Sequence, residues 1–344
     1  MDLQNINWDK LDFSYKKMPY RFRAYWKDGE WQKGALVTNN NIVLNESAPC
    51  IHYGQQCFEG MKAQCSRAGD ILLFRPRENA KRMQRTARRL MMPEIPGDMF
   101  LEAVKDTVLA NKEYVPPHGH GASMYIRPLL IGIGDNLGVK PAPEYLFTVF
   151  VVPVGPYFKQ GFKPVKMKID LDYDRAAPQG TGNVKVGGNY SASLLPVEKV
   201  RKEGYSEVIY LDAKEKKYFE ETGSSNLFFV FKNGDMATPK SEAILPSITR
   251  RSIVDIARKD FDLNMEHRKV EVSELPEIKE AGACGTAAVI TPIGVIGYKG
   301  EDYKLYADGK EPGPITTKLY KRLTQIQVRD VEDKHNWTVK IGRK

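Results

Sequence analysis

Cysteine is scarce in this chain: four occur among 344 residues, Cys50, Cys57, Cys65 and Cys284, and none forms a CxxC pair. That spacing argues against a close-spaced zinc site and a disulfide framework, and predicts idle or buried thiols in a reducing cytoplasm. Long apolar runs are missing too. No stretch approaches the roughly 20 residues that span a bilayer, so no membrane partner is expected. The start, MDLQNINWDKLDF, carries acids and has no basic segment leading into an apolar one, so no secretory signal is expected. Nor is there a basic block. The net charge is +9, yet lysines and arginines are interleaved with acids, so the localised footprint of a nucleic-acid binder is absent. A solvated surface with a site for small anions accounts for the charge.

What is present is the balance of a soluble globular protein, with 42% hydrophobic and 28% charged residues. The length suits two domains better than one core. Between residues 20 and 65, YRFRAYW, GALVT, NNIVLN and APCIHYG read as strands punctuated by DG, NN and NE turns. ENAKRMQRTARRLMM and DMFLEAVKDTVLANKEYV predict amphipathic helices. The first puts Met83, Ala87 and Met91 on one face, the second Phe100, Val104 and Val108. SMYIRPLLIG and EYLFTVFVVPV follow as apolar strands. PVGPYFKQGFKP marks a linker at residues 153–164, between an N-terminal domain of residues 1–152 and a C-terminal domain of residues 165–344.

In the second part the strand PVKMKIDLDY precedes a glycine-rich loop and a helix from Ser191 to Lys202. Strands SEVIYLD and NLFFVFKNG come next, then a helix in SITRRSIVDIARKDF capped by Ser247 or Thr249. The strand AAVITPI and a helix from about Ile315 to Gln327 complete the pattern. Strands and helices mix without regular βαβ alternation, which predicts an α+β architecture with mixed sheets in both domains.

Three segments stand out chemically. GTGNVKVGGNY carries glycines at 180, 182, 187 and 188, which permit close backbone approach to a ligand. It is not a P-loop, because Lys185 precedes the glycine pair and no Ser or Thr follows it. It is not a dinucleotide fingerprint either, since GxGxxG and a βαβ unit are lacking. Taken alone it is a flexible loop with a solvated lysine. In EETGSSNLFFVF, two acids precede a small-residue turn and an apolar strand. A carboxylate there could keep a heterocycle nitrogen protonated, with Ser224 and turn amides binding an anion; a plain hairpin turn is the simpler alternative. ILPSITRRSI opens a helix with free N–H groups and hydroxyls, a phosphate site or merely an N-cap. His118 and His120 form an HGH run in a Pro- and Gly-rich loop with no acid beside it, and no role is assigned to them.

Together, HYGQQCFEGMKA, FRPRENAKRM, SMYIRPLLIG, GDNLGVKP, GNVKVGGNY, ETGSSNLF, ILPSITRRSI, GTAAVITP, GPIT and the tail NWTVKI resemble the branched-chain aminotransferases in order and spacing. These are fold type IV pyridoxal-phosphate enzymes of the class IV aminotransferase family, with the two-domain fold of the D-amino-acid aminotransferases. The resemblance covers all but the first fifteen or so residues. It implies reversible ping-pong transfer of an amino group between branched-chain L-amino acids and 2-oxoglutarate, in a cytoplasmic homodimer. D-amino-acid aminotransferases and aminodeoxychorismate lyases share the fold, the lysine and the glutamate; YIRP, FEGMKA and GGNY favour the branched-chain enzymes.

By resemblance, Lys185 is the Schiff-base lysine, which needs a neutral amine to carry the proton of the substrate Cα. Tyr190 meets the phenolic oxygen of pyridoxal 5'-phosphate, and Glu221, rather than the adjacent Glu220, pairs with the ring nitrogen. Arg82 clamps the phosphate, helped by Ile248, Thr249 and Thr286. Ser224, in place of a common threonine, and the amides near Ala287 and Ala288 hold the α-carboxylate. Tyr53, Phe58, Tyr125 and Tyr157 line the side-chain pocket, and Arg127 receives the second carboxylate of glutamate. Leu137 and Val139 reach into the neighbouring subunit's pocket. The CxxC that some eukaryotic members carry after GTA is Ala288 and Thr291 here, so no redox switch is expected at that place.

Overall fold

The computed structural model describes residues 6–155 and 162–344; Tyr157 and much of the expected linker lie outside them. The chain forms two compact units. The described residues of the first run to 155 and return as Val184–Gly187 and Gln325–Lys344, and those of the second are 162–183 and Gly188–Thr324. A division at one linker therefore leaves out two short returns of the chain. Neither return carries a local signal, because each is held by contacts with residues far away in sequence.

The first unit is built on a strand whose sequence alternates. In Ser123–Ile133, Met124, Ile126 and Leu130 are buried, while Tyr125, Arg127 and Leu129 point to the other face. It pairs along its whole length with Glu144–Val154, from Ser123 opposite Val154 to Ile133 opposite Glu144. The sheet runs Thr338–Arg343, Asp70–Phe74, Met61–Cys65, Ser123–Ile133, Glu144–Val154, Arg21–Lys27 and Glu30–Trp31. Ala35–Val37 adds to Arg21–Lys27, and Gln56–Phe58 to Ser123–Ile133. Its described pairings are all antiparallel, so the mixed sheet expected here is corrected. Neighbours such as Met61–Cys65 and Asp70–Phe74, or Ser123–Ile133 and Glu144–Val154, are joined by short connections, where a parallel pair would need a longer crossover.

Two helices cover the buried face. Pro76–Arg89 places Ala80, Met83 and Ala87 against the core, and Gly97–Ala110 places Phe100, Val104 and Val108 there. Met91 does not join them. The chain leaves the helix at Leu90, Met91 takes a left-handed conformation with φ 53°, and its side chain is 72% exposed. Pro93, two residues on, would break a continued helix. Two expected strands are also absent: NNIVLN has no ladder, and within APCIHYG residues Pro49–His52 form a helical turn opened by Pro49. The histidines are not isolated from acids. His118 Nε2 lies 3.0 Å from Asp330 Oδ1 and His120 Nδ1 lies 2.8 Å from Asp9 Oδ1, pairings invisible locally because both partners are distant in sequence.

The second unit closes on itself. Phe219–Thr222, Glu207–Leu211, Val165–Asp170, Val289–Tyr298, Ile278–Gly285 and Asn226–Phe231 are paired in that order, and the last also pairs with the first. The result is a barrel of six strands. Val165–Asp170 is parallel to both neighbours, so this sheet is mixed as expected. Asn226–Phe231, with its unbroken apolar run from Leu227, is buried at every position, as a strand covered on both faces requires. Ile248–Phe261 packs on this strand and on Ile278–Gly285. The helix expected from Ser191 is Leu194–Lys202, with Pro196 in its first turn where no N–H is needed, and a separate turn of helix spans Gly187–Ser191.

No helix of the described residues is long and apolar enough to cross a membrane, and no described cluster of His, Cys, Asp or Glu could hold a metal ion. The cysteines are free thiols.

Phe147 is fully buried and touches Phe22, Trp31 and Phe100 at ring separations of 6.2, 6.4 and 6.1 Å. Phe147→Ala is expected to cost about 3–5 kcal/mol in urea unfolding, because the rings around it cannot collapse into the void. A loss below about 1 kcal/mol would show that the aromatic cluster is not the centre of this core.

Candidate active site

In the first unit the site residues gather around a buried ion pair. Arg82, on the inner face of Pro76–Arg89, donates from Nε to Glu59 Oε1 at 2.7 Å and from Nη2 to Oε2 at 2.8 Å. Glu59 is fully buried and also accepts from Asn79 Nδ2 at 2.8 Å. Burial by itself would raise the Glu59 pKa. The Arg82 charge and bonds, with Lys185 and Asn79, outweigh it and hold the carboxyl below its ordinary value. One turn along the helix, Thr86 Oγ1 donates to Arg82 O at 3.0 Å and accepts from Lys185 N at 3.2 Å. Phe58 N donates to Lys185 O at 3.2 Å, and Cys57 pairs with Val186 in an isolated bridge. The lysine segment is thus laced to Gln56–Phe58 rather than loose in solvent.

Lys185 Nζ stands 4.8 Å from the centre of the Phe58 ring. The Arg127 guanidinium lies over the same ring at 4.7 Å and over Tyr125 at 5.2 Å, and its Nη2 donates to Tyr125 Oη at 3.1 Å. A Cβ on Gly60 would fall 2.2 Å from the Tyr125 hydroxyl, so a larger residue there would displace that hydroxyl. Lys62, opposite Tyr125 across the ladder, is pushed down to about 8 by burial. Tyr53 Oη donates to Leu137 O, which brings those two together. Leu137 and Val139 themselves are 79% and 87% exposed.

In the second unit the focus is Glu221. It lies in the barrel wall, opposite Asn226, just before the turn at Thr222–Ser225. Its Oε1 accepts from Leu245 N at 2.7 Å and is ion-paired with Arg175 Nη1 at 2.8 Å, and its Oε2 accepts from Asn226 Nδ2 at 2.7 Å. Glu220, its neighbour, has a different environment. Its Oε1 accepts from Ser241 Oγ at 2.5 Å, and burial, with Glu221 adding to it, pushes it up to about 7. Leu245 stands just before the helix that starts at Ile248, so Glu221 and that helix start are tied together. Ser247 caps the helix by accepting from Arg250 N at 3.1 Å, leaving Ile248 and Thr249 in the first turn, where N–H groups have no intrahelical partner.

The Thr222–Ser225 turn is pinned by the Thr222 hydroxyl, which accepts from Ser224 N at 3.2 Å and Ser225 N at 2.9 Å. Ser224 Oγ faces Glu207 Oε2 at 3.4 Å, and burial raises the Glu207 pKa. Thr286, Ala287 and Ala288 form the turn between Ile278–Gly285 and Val289–Tyr298. A Cβ on Gly285 would sit 3.6 Å from Ser225 Cβ and 3.9 Å from Ser224 O, so the two turns are neighbours. Tyr190 belongs to Gly187–Ser191, where Asn189 Nδ2 donates to Thr181 O at 2.7 Å and fixes the glycine loop. Gly182 is there because a Cβ would come 2.1 Å from Ala243 O.

The amino-transferase class IV family model matches residues 56–296. The chain is 48% identical to the branched-chain-amino-acid aminotransferase of Haemophilus influenzae, over 98% of this chain and 100% of that protein. To the enzyme of that name from Helicobacter pylori it is 47% identical, over 99% of each. The chain belongs to the branched-chain-amino-acid aminotransferases of class IV. Among solved structures, that of the Escherichia coli branched-chain amino acid aminotransferase superposes with a TM-score of 0.78 at 28% identity, over 93% of this chain and 99% of that one. The branched-chain aminotransferase of the archaeon Thermoproteus uzoniensis, solved with norvaline, gives 0.77 at 26%, over 92% and 99%. The fold is that of the fold type IV aminotransferases.

Glu59, Lys62, Arg175 and Glu207 were not singled out in the sequence. Their neighbours in space are Arg82, Tyr125, Glu221 and Ser224 respectively, all too distant along the chain for a local pattern to report them. FEGMKA does contain Glu59 and Lys62, so the motif itself was the available signal.

Two measurements probe this electrostatics. Glu59→Ala leaves Arg82 buried without its counter-charge and is expected to cost about 3–5 kcal/mol, read by thermal or urea unfolding. A cost below about 1 kcal/mol would mean the pair is not buried in solution. Glu220 tests the opposite sign: its folded pKa is raised, so the folded state holds the proton longer than the unfolded one. Its contribution is greatest below about 4.5 and is lost as pH rises to about 7. Glu220→Gln should flatten that part of the stability–pH curve, and an unchanged slope would place the titration elsewhere.

Proposed function

We propose that the chain catalyses reversible, ping-pong transamination between leucine, isoleucine or valine and 2-oxoglutarate. The observation that carries this reading is Glu221: a buried carboxylate held by an arginine, an amide and a backbone N–H, tied through Leu245 to a helix start. That donor set suits a phosphate-bearing, ring-nitrogen cofactor, with a carboxylate for the ring and first-turn amides for the phosphate. The cofactor is pyridoxal 5'-phosphate, which when bound supplies an aldehyde and an electron-withdrawing ring.

Lys185 is its covalent anchor, and Lys185 Nζ carries the proton from the substrate Cα. Glu221 keeps a proton on the ring nitrogen, and Tyr190 meets the phenolic oxygen. Arg82, the amides of Ile248 and Thr249, and the Thr286 hydroxyl bind the phosphate. Ser224 and the amides of Ala287 and Ala288 orient the substrate α-carboxylate. Tyr53, Phe58, Tyr125 and Tyr157 exclude water from the branched side chain. Arg127 accepts the second carboxylate of glutamate; its place against Phe58 and Tyr125 supports this, because apolar walls strengthen an ion pair. An aromatic wall carrying one cation explains how one site can take both leucine and glutamate.

The exposure of Leu137 and Val139 supports a homodimer in which they reach the partner's pocket. Free thiols support a cytoplasmic setting. The purified protein is expected to be yellow and to bleach on addition of L-leucine. Lys185→Ala should abolish turnover while the cofactor still binds non-covalently. Substantial leucine transamination by that variant would overturn the lysine's role, and bleaching by D-alanine instead of L-leucine would redirect the substrate class.

A further inference from the structure

Arg175 is assigned no part in the reaction above, yet it stands behind Glu221. Its side chain is 2% exposed and that of Glu221 is 3%, and they meet at 2.8 Å. Its Nη1 also donates to Ala243 O at 3.1 Å and approaches Gly182 O at 3.3 Å. Its Nε has no hydrogen-bond partner among the described residues. A guanidinium is costly to bury unless it is paired and hydrogen-bonded. The contacts join three segments: the strand bearing Glu221, the glycine loop at Gly182, and the loop at Ala243 that leads to Leu245 and the helix at Ile248.

Other titratable groups near Glu221 do not take this place. Arg250, in the first turn of Ile248–Phe261, and Cys284, on Ile278–Gly285, interact with it electrostatically without an ion pair to its carboxylate among the described contacts. Glu220, its neighbour in the strand, is another acid and opposes its ionisation. Among the described contacts, Arg175 is the cation paired with this carboxylate.

We propose that Arg175 is a positioning residue for Glu221: it keeps that buried carboxylate charged and in one orientation before the cofactor arrives. The proposal rests on Glu221 being the partner of the ring nitrogen. A site that already carries the negative charge can stabilise a protonated ring nitrogen without reorganising as the ring arrives. Without the guanidinium, desolvation favours the neutral acid, and the carboxyl loses the counter-charge beside Oε1.

The test uses the full chain with Glu220→Gln as background, because Glu220 titrates near 7 and would overlap. Carbon-13 glutamate-edited infrared spectra are recorded with and without added pyridoxal 5'-phosphate. In the Arg175→Gln variant a carboxylic-acid band is expected at neutral pH, absent with Arg175 or Arg175→Lys, and lost again when Glu221→Gln is added. Capture of pyridoxal 5'-phosphate by Arg175→Gln is expected to weaken about 10- to 100-fold, as when the partner that orients a ligand is removed, with Lys restoring most of it. No acid band together with wild-type capture in Arg175→Gln would overturn the proposal. Should that variant not fold, the parent and the Lys variant decide: an acid band from Glu221 in the parent at neutral pH overturns the proposal, as does a Lys variant that captures the cofactor no better than Glu221→Gln. The two readings separate cleanly, since unimpaired capture by Glu221→Gln would remove the role of Glu221 itself while the infrared result would still report on Arg175.

Discussion

The closure of the six-stranded barrel is the constraint on which the second unit depends. Phe219–Thr222 is hydrogen-bonded on one side to Glu207–Leu211 and on the other to Asn226–Phe231, so a single short strand completes the ring. Closure satisfies backbone groups that would otherwise form an edge. It also places Glu221 in a wall from which water is excluded, at the last residue before a tight turn. A carboxylate in such a place is tolerated only when donors are already aimed at it. Leu245 and Asn226 supply them, and Arg175 adds the counter-charge.

The first unit solves a similar problem in another way. Its antiparallel sheet sends alternate side chains to opposite faces, so Met124 and Ile126 enter the core while Tyr125 and Arg127 stand on the other side. Glu59 and Arg82 are the buried exception, joined by two hydrogen bonds of 2.7 and 2.8 Å. A buried ion pair gives little net stability, because desolvation of both ions offsets their attraction. Its consequence is geometric. With both Nε and Nη2 on one carboxylate, the Arg82 guanidinium has a fixed plane, and Thr86 one turn away carries that order to the Lys185 backbone.

Much of the fold was legible because its elements are periodic. The helices Pro76–Arg89, Gly97–Ala110 and Ile248–Phe261 and the long strands Ser123–Ile133 and Glu144–Val154 follow from apolar spacing and from Pro or Ser at their starts. Errors fell where spacing carried no information. NNIVLN has strand-forming residues but finds no partner strand, and the start of APCIHYG becomes a helical turn because Pro49 suits a first helical position and cannot donate to a ladder. Met91 fitted the helical face, but the chain turns away one residue before it. The antiparallel order of the first sheet depends on which strands meet, and composition does not encode that.

For the site, the order of the motifs carried the family resemblance that implies the chemical class: a lysine in a glycine-rich loop, an acid before GSSN, and a helix opened by Ser247. Each depends on local backbone form or on a residue type at a set spacing, and both are written in the chain. The tertiary structure decided which charges face each other. Glu59 and Arg82 are 23 positions apart, and Arg175 meets Glu221 across the second unit, so neither pairing leaves a local trace. Glu220 and Glu221 are the sharpest case. Adjacent in sequence and identical in type, they differ because a strand sends successive side chains to opposite faces, one toward Ser241 and the other toward Arg175.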